Sequence, residues 1–101
     1  MVRSDLRPVT RTTDGRMAYT DGGTDYVGRT RLQGMILAND GVGAGSVAFY
    51  DNTSATGTAL LTIDVPQGDV MNIGLPDAGV VFGTGIYVDL TNISRVTLFV
   101  Q

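Results

Sequence analysis

Turn-forming clusters cut the chain into pieces too short for a stable helix. "NDGVGAG" (39–45), "DNTSATG" (51–57), "PQGD" (66–69), "PDAG" (76–79), "GTG" (83–85) and "TNIS" (91–94) recur along its second half. The strands between them recur every 8–12 residues or so, the spacing of a strand-rich fold. Each cluster is built from Asp, Asn, Gly or Pro, residues that tolerate positive φ or make side-chain-closed turns. The runs between them alternate with a period of two, and none holds a sustained apolar period of 3.6 residues.

In "SVAFYD", Val47 and Phe49 share one face and Ala48 and Tyr50 the other. "TALLTIDV" sets Ala59, Leu61, Ile63 and Val65 against Thr58, Leu60, Thr62 and Asp64. "VMNIGL" places Met71, Ile73 and Leu75 together, and "VVF" is a further short strand. "IYVDL" sets Ile86, Val88 and Leu90 opposite Tyr87 and Asp89. In "VGRTRLQGMILA", Leu32, Gly34, Ile36 and Ala38 point one way, and Arg29, Arg31, Gln33, Met35 and Leu37 the other. The expectation is an all-β, single-domain antiparallel β-sandwich or small barrel over residues 26–101. Residues 1–25 contain Pro8 and the turn signals Asp14-Gly15 and Asp21-Gly22-Gly23. They read as an extended N-terminal arm holding one short strand near Leu6 to Thr12, at a sheet edge because proline cannot donate to a ladder.

The chain closes on "GIYVDLTNISRVTLFVQ". A terminal strand frays unless a neighbour ties it down. The spacing predicts that "RVTLFV" pairs with "GIYVDL" as a hairpin through "TNIS", with Val96, Leu98 and Val100 inward and Thr97 and Phe99 outward. Tyr87, Phe99 and Leu37 then fall on solvated faces, which makes them candidate subunit-interface residues.

Composition narrows function. The sequence has no Cys, His, Trp, Lys or Glu: its basic residues are seven Arg and its acidic residues ten Asp. No Cys/His zinc site and no disulfide can be built, and no His or Lys serves as a general base near neutral pH. The expectation is a protein that is not an enzyme and takes no cofactor, metal or small-molecule substrate. Asp64 and Asp89 could be drawn as a glycosidase-type carboxylate pair, but outward strand carboxylates ordinarily solubilise. The Gly-rich "GVGAG" and "GTG" lie outside any βαβ unit and read as turns. "DGGTD" (21–25), "NDGVGAG" and "DNTSATG" offer oxygen atoms to Ca²⁺, though Asx turns account for all three without a metal. Tyr19, Tyr26, Tyr50 and Tyr87 could line a sugar site or cap sheet edges. No stretch is apolar enough for a membrane helix. The opening lacks an apolar core for secretion, so synthesis in the cytoplasm is expected.

Charge is uneven. Residues 1–31 hold six Arg and four Asp, and residues 32–101 one Arg and six Asp. A basic front end on an acidic body suits contact between copies, with Arg3, Arg7, Arg11 and Arg16 as candidate contacts. Arginines interleaved with Asp, and a pI near 4.4, argue against nucleic acid.

The order "VRSDLRPVT", "GRTRLQGMIL", "GSVAFYDNTSATGTALLTIDVP", "GDVMNIGLPDAGVVFGTGIYVDLTN" and "VTLFV" resembles small virion proteins of tailed bacteriophages, including cyanophages. The resemblance implies a β-sandwich present in many copies on the virion. Proteins of this type decorate or cement the capsid by binding the outer surface of the major capsid protein, often as trimers; others attach to the tail. Independently of the resemblance, an extended arm can add a strand to a neighbouring sheet, a role expected of residues 1–25. A tail component (an adaptor or fibre-anchoring subunit) and a carbohydrate-binding β-sandwich module are the alternatives.

Overall fold

Short alternating runs have little stability alone, so each must find a sheet and bury one face. The computed structural model describes residues 7–17, 19–21, 24–26, 30–52, 54–76 and 79–101; for Arg7, 19–21 and 24–26 it describes the backbone alone. The strands are β1 (Arg7–Arg11), β2 (Gly15–Met17), β3 (Tyr19–Asp21), β4 (Thr24–Tyr26), β5 (Thr30–Asn39) and β6 (Gly45–Asp51). They continue with β7 (Leu61–Val65), β8 (Val70–Gly74), β9 (Val80–Phe82), β10 (Ile86–Thr91) and β11 (Ile93–Val100). No helix occurs among the described residues. The fold is all-β, with every pairing antiparallel.

Two sheets pack as a sandwich. The larger runs β1-β11-β5-β8, with β9 also paired to β5, and the smaller runs β2-β10-β6-β7. A separate β3-β4 hairpin pairs Tyr19 with Tyr26. Within the stretch read as an arm, β1 and β2 are edge strands, one in each sheet. Pro8 lies on the edge strand β1, as its missing N–H requires.

Among the described residues the interior is apolar apart from Thr30. Phe49, Phe82, Leu32, Met35, Leu37, Ile86 and Leu98 are its largest fully buried side chains, joined by Val47, Val65, Val88, Val96 and Val100. The expected inward residues of β6, β7, β8, β10 and β11 all face this core, with Leu61 and Ile63 of β7 and those of β8 in half-buried positions.

Two expectations fail, each for a local reason. The last strand is tied down within its own chain, but not by β10. β11 lies between β1 and β5, whereas β10 lies between β2 and β6. Both strands extend to within one residue of each other, leaving only Asn92 between them. A hairpin needs about two loop residues, so the chain crosses to the opposite sheet instead. Asn92 makes the corner with φ 53°, a left-handed conformation that asparagine tolerates.

The second failure is Leu37, expected outward but fully buried. Leu32 pairs with Val100 and Gly34 with Phe99, so Gln33 is an extra residue in β5. Such a bulge shifts the alternation by one. Thr30 and Leu32 point inward before it, Met35 and Leu37 after it. Ser94 does the same in β11: Ile93 pairs with Asn39 and Arg95 with Ala38, and the buried series passes from Ile93 to Val96.

Leu37→Ala should therefore cost about 2–5 kcal/mol, the range for a buried leucine truncation. Phe99→Ala, on the half-buried outer face, should cost about 1–2 kcal/mol. Urea denaturation of the two variants measures the difference; equal costs would contradict the bulge at Gln33.

Candidate functional site

The surfaces available for recognition are the two outer sheet faces and the loop ends. The seven expected contact residues do not form one patch. Leu37 is in the core, Phe99 is on the outer face of the larger sheet, and Tyr87 is on the outer face of the smaller one. Arg3 and the side chain of Arg7 lie outside the described residues. Arg11 is engaged within the chain: Nε donates to Thr13 O (3.0 Å), Nη1 to Arg16 O (3.1 Å) and Nη2 to Asp14 O (3.1 Å). It closes the β1–β2 corner, where its guanidinium fills the space a Cβ on Gly15 would need. Arg16 is exposed on β2 opposite Tyr87.

The outer face of the larger sheet is poor in charge. One row reads Pro8, Phe99, Gly34 and Gly74 across four strands. The next reads Thr10, Thr97, Ile36 and Asn72; the third holds Arg95, Ala38 and Val70. Phe99 is half-buried because its ring covers Gly34, where a Cβ would stand 3.8 Å from Phe99 Cδ2. Thr10 and Thr97 join their hydroxyls at 2.9 Å. Val70 is 62% exposed. Arg95 is the one charge in these rows, and the five strands of this sheet contain no aspartate at all.

The outer face of the smaller sheet differs. Arg16, Tyr87 and Tyr50 stand in one row, continued by the exposed Leu60, whose N–H donates to Phe49 O (2.8 Å). Below it lie Asp89, Ala48 and Thr62, then Thr91, Ser46 and Asp64. Asp64 and Asp89 thus share this face, two strands apart, while the carboxyl that approaches Asp89 is Asp14. Asp14 Oδ1 accepts from Leu90 N (2.7 Å) beyond the end of β2. Burial, the charge of Asp14 and a hydrogen bond with it raise the Asp89 pKa.

At the sandwich ends, side chains spend their polar groups on backbone. Asn39 Nδ2 donates to Gly43 O (2.9 Å) and Val65 O (3.1 Å), and its Oδ1 accepts from Gly41 N (2.6 Å) and Gly68 N (3.1 Å). Asn92 Nδ2 donates to Ala44 O (3.0 Å), and Asp40 Oδ1 accepts from Val42 N (2.9 Å). The loop 39–45 is thus closed by Asx turns. Asp51 fills a nest of backbone N–H groups: Thr84 (2.7 Å), Gly83 (3.0 Å) and Gly85 (3.4 Å). The "GTG" segment is an anion cradle, and its anion belongs to the chain. "DGGTD" lies outside the described side chains. Among the described residues no group of three or more acidic side chains converges as a metal site would require.

Sequence reading missed the Tyr50–Tyr87 pair and the Asp14–Asp89 pair. The alternation placed both tyrosines outward, but only strand order makes them neighbours. Comparison with protein-family models, curated proteins and solved structures found no match for this chain. The functional reading therefore rests on its residues and surfaces.

The two perturbed carboxyls have opposite pH signatures. The N–H of Thr84, with Gly83 and Gly85, lowers the Asp51 pKa against a burial effect that raises it. Its stabilisation is present above the unfolded-state pKa of about 4 and is lost as pH falls through the lower folded value. Asp89, raised in the fold, stabilises fully below pH about 4 and loses that contribution as pH rises through its folded value. Asp51→Asn should flatten the acid limb of a stability–pH curve. Asp89→Asn should raise stability at pH 7. Chemical denaturation from pH 2 to 8 measures both effects.

Proposed function

We propose that this chain is a structural virion protein of a tailed bacteriophage, a capsid decoration (cement) protein without enzymatic activity. It binds the outer surface of the major capsid protein as an oligomer, a homotrimer by the resemblance drawn above, and so stabilises the head. The observation that carries this reading is the outer face of the larger sheet. Two rows across four strands and a third across three hold Pro8, Phe99, Ile36, Ala38 and Val70 with a single charge, Arg95, and Arg31 stands beyond them where β5 meets β9. A charge-poor face suits burial against another protein, and modest interfaces become strong when multiplied by copy number.

Cryo-electron microscopy of the purified virion tests the reading. The expected outcome is this chain on the outer shell at three-fold or quasi-three-fold positions, with the larger sheet buried. Density at the tail vertex alone would replace the cement reading with the tail component. Absence from the particle would overturn the virion reading.

One observation favours a second reading, a carbohydrate-binding module. Tyr50 and Tyr87 stand side by side on a face that also carries Asp89, and aromatic faces with nearby carboxylates suit stacked, hydroxyl-rich sugars. A monomer that binds glycans, with binding lost in Tyr50→Ala, would favour this second reading.

A further inference from the structure

Between the two packed sheets, the strand aspartates fall on one side only. The five strands of the larger sheet contain no aspartate, and its outer face presents Arg95 beside Ile36, Ala38, Phe99 and Val70. The smaller sheet's outer face carries Asp89 and Asp64 on its strands, with Asp14 at one margin and Arg16 as its described cation. It too offers apolar contact area, from Tyr50, Tyr87 and the 52%-exposed Leu60. The division does not follow the sequence halves. It arises because the fold deals alternate segments of the chain to opposite layers.

We propose that copies of this chain stack head to tail, the larger sheet's outer face of one copy docking on the smaller sheet's acidic, tyrosine-bearing face of the next. The inference rests on reading the chain as a self-assembling structural protein, and it leaves the larger sheet of the first copy in each stack free for the capsid surface. A symmetric dimer through the larger face gives Arg95 no aspartate from the strands of that sheet, and one through the smaller face sets the carboxylates of Asp64 and Asp89 against a surface with Arg16 as its described cation. The head-to-tail arrangement brings Arg95 toward Asp64 and Asp89 while pairing apolar with aromatic surface. A contact of this kind is heterologous, so it closes into a ring where the rotation permits and otherwise grows as a filament.

Its strength follows from the dimensions. Four strands at about 4.8 Å spacing and five or six residues at about 3.3 Å rise give a face of roughly 300–400 Å². That is below the ~800 Å² per partner of a standard stable interface. The isolated chain should therefore associate weakly and depend on concentration. It should also depend on salt, since exposed charges are screened beyond about 10 Å at 0.1 M.

Sedimentation velocity of the isolated full chain tests this, with Arg95→Asp, Asp64→Arg and the double variant. Both positions are exposed, and neither takes part in the loop hydrogen bonds described above. The expected result is concentration-dependent association of the unmodified chain at 20 mM salt that weakens at least tenfold at 500 mM. Each single variant should lose at least tenfold in association, and the double variant should regain it because the charges are exchanged. Mixing the two single variants should also restore association, in alternating order. Thermal denaturation of all four proteins separates lost contact from lost fold. A monomer at millimolar concentration and low salt would overturn the proposal. So would association that the single substitutions leave unchanged, or a double variant no better than the singles. None of these outcomes depends on virion location, so failure here and failure of the decoration reading are distinguishable.

Discussion

The pairing of β5 with β11 is the constraint on which the rest of the sandwich depends. These are the two longest strands, they lie side by side within the larger sheet, and each carries one bulge. A single extra residue reverses every side chain beyond it. Without Gln33 as an extra residue, Leu32 and Leu37 could not both be buried. Without Ser94, Ile93 and Val96 would face opposite ways. Bulges also increase local twist, and twist shapes how a second sheet packs across the central pair. Core composition and sheet shape are in this sense one decision, made at two positions.

The corner at Asn92 is the second decision. By joining β10 to β11 through one residue, it sends consecutive strands into opposite layers, so the interior is built between segments adjacent in sequence. The same end of the molecule is locked by Asn39, whose amide uses both N–H bonds and accepts twice. It bridges the 39–45 loop, the end of β7 and the 66–69 turn. Gly45 allows this closeness: a Cβ there would stand 2.7 Å from Thr91 O and 2.9 Å from Asn92 O. The Gly-rich composition is therefore a packing requirement here as well as a turn signal.

Much of this was legible in the sequence, for a definable reason. Alternation is a local property, so the inward and outward faces of β6, β7, β8, β10 and β11 could be read directly. Pro8 likewise marked an edge. What failed depended on information beyond one strand. Gln33 is not a recognisable bulge residue, and its bulge is defined only by the offset between Leu32–Val100 and Gly34–Phe99. "TNIS" looks like a four-residue turn until the strands on either side consume three of its residues. The surfaces suffered in the same way. Phe99 and Tyr87 were correctly turned outward, but strand order sends them to opposite sides of the molecule. Arg11 was read as a contact because sequence cannot show that its guanidinium is occupied by Thr13, Asp14 and Arg16 carbonyls.

Strand order also changes the meaning of the charge pattern. Along the sequence it separates a basic front from an acidic remainder, a division that places partner-binding in the N-terminal segment. In the fold, β1 and β2 from that front belong to different layers, so a field defined by sequence position has no counterpart in space. What survives is a difference between faces: one lined by strands without aspartate, the other bearing Asp64 and Asp89. Exposed charges contribute little to holding either face in place, and the buried valines, leucines and phenylalanines maintain the sandwich without them. Their arrangement is thus free to serve recognition. With no Lys and no Glu to blur it, reversing one arginine or one aspartate changes the character of an entire face. Charge arranged in this way sets the specificity of a contact more than its strength.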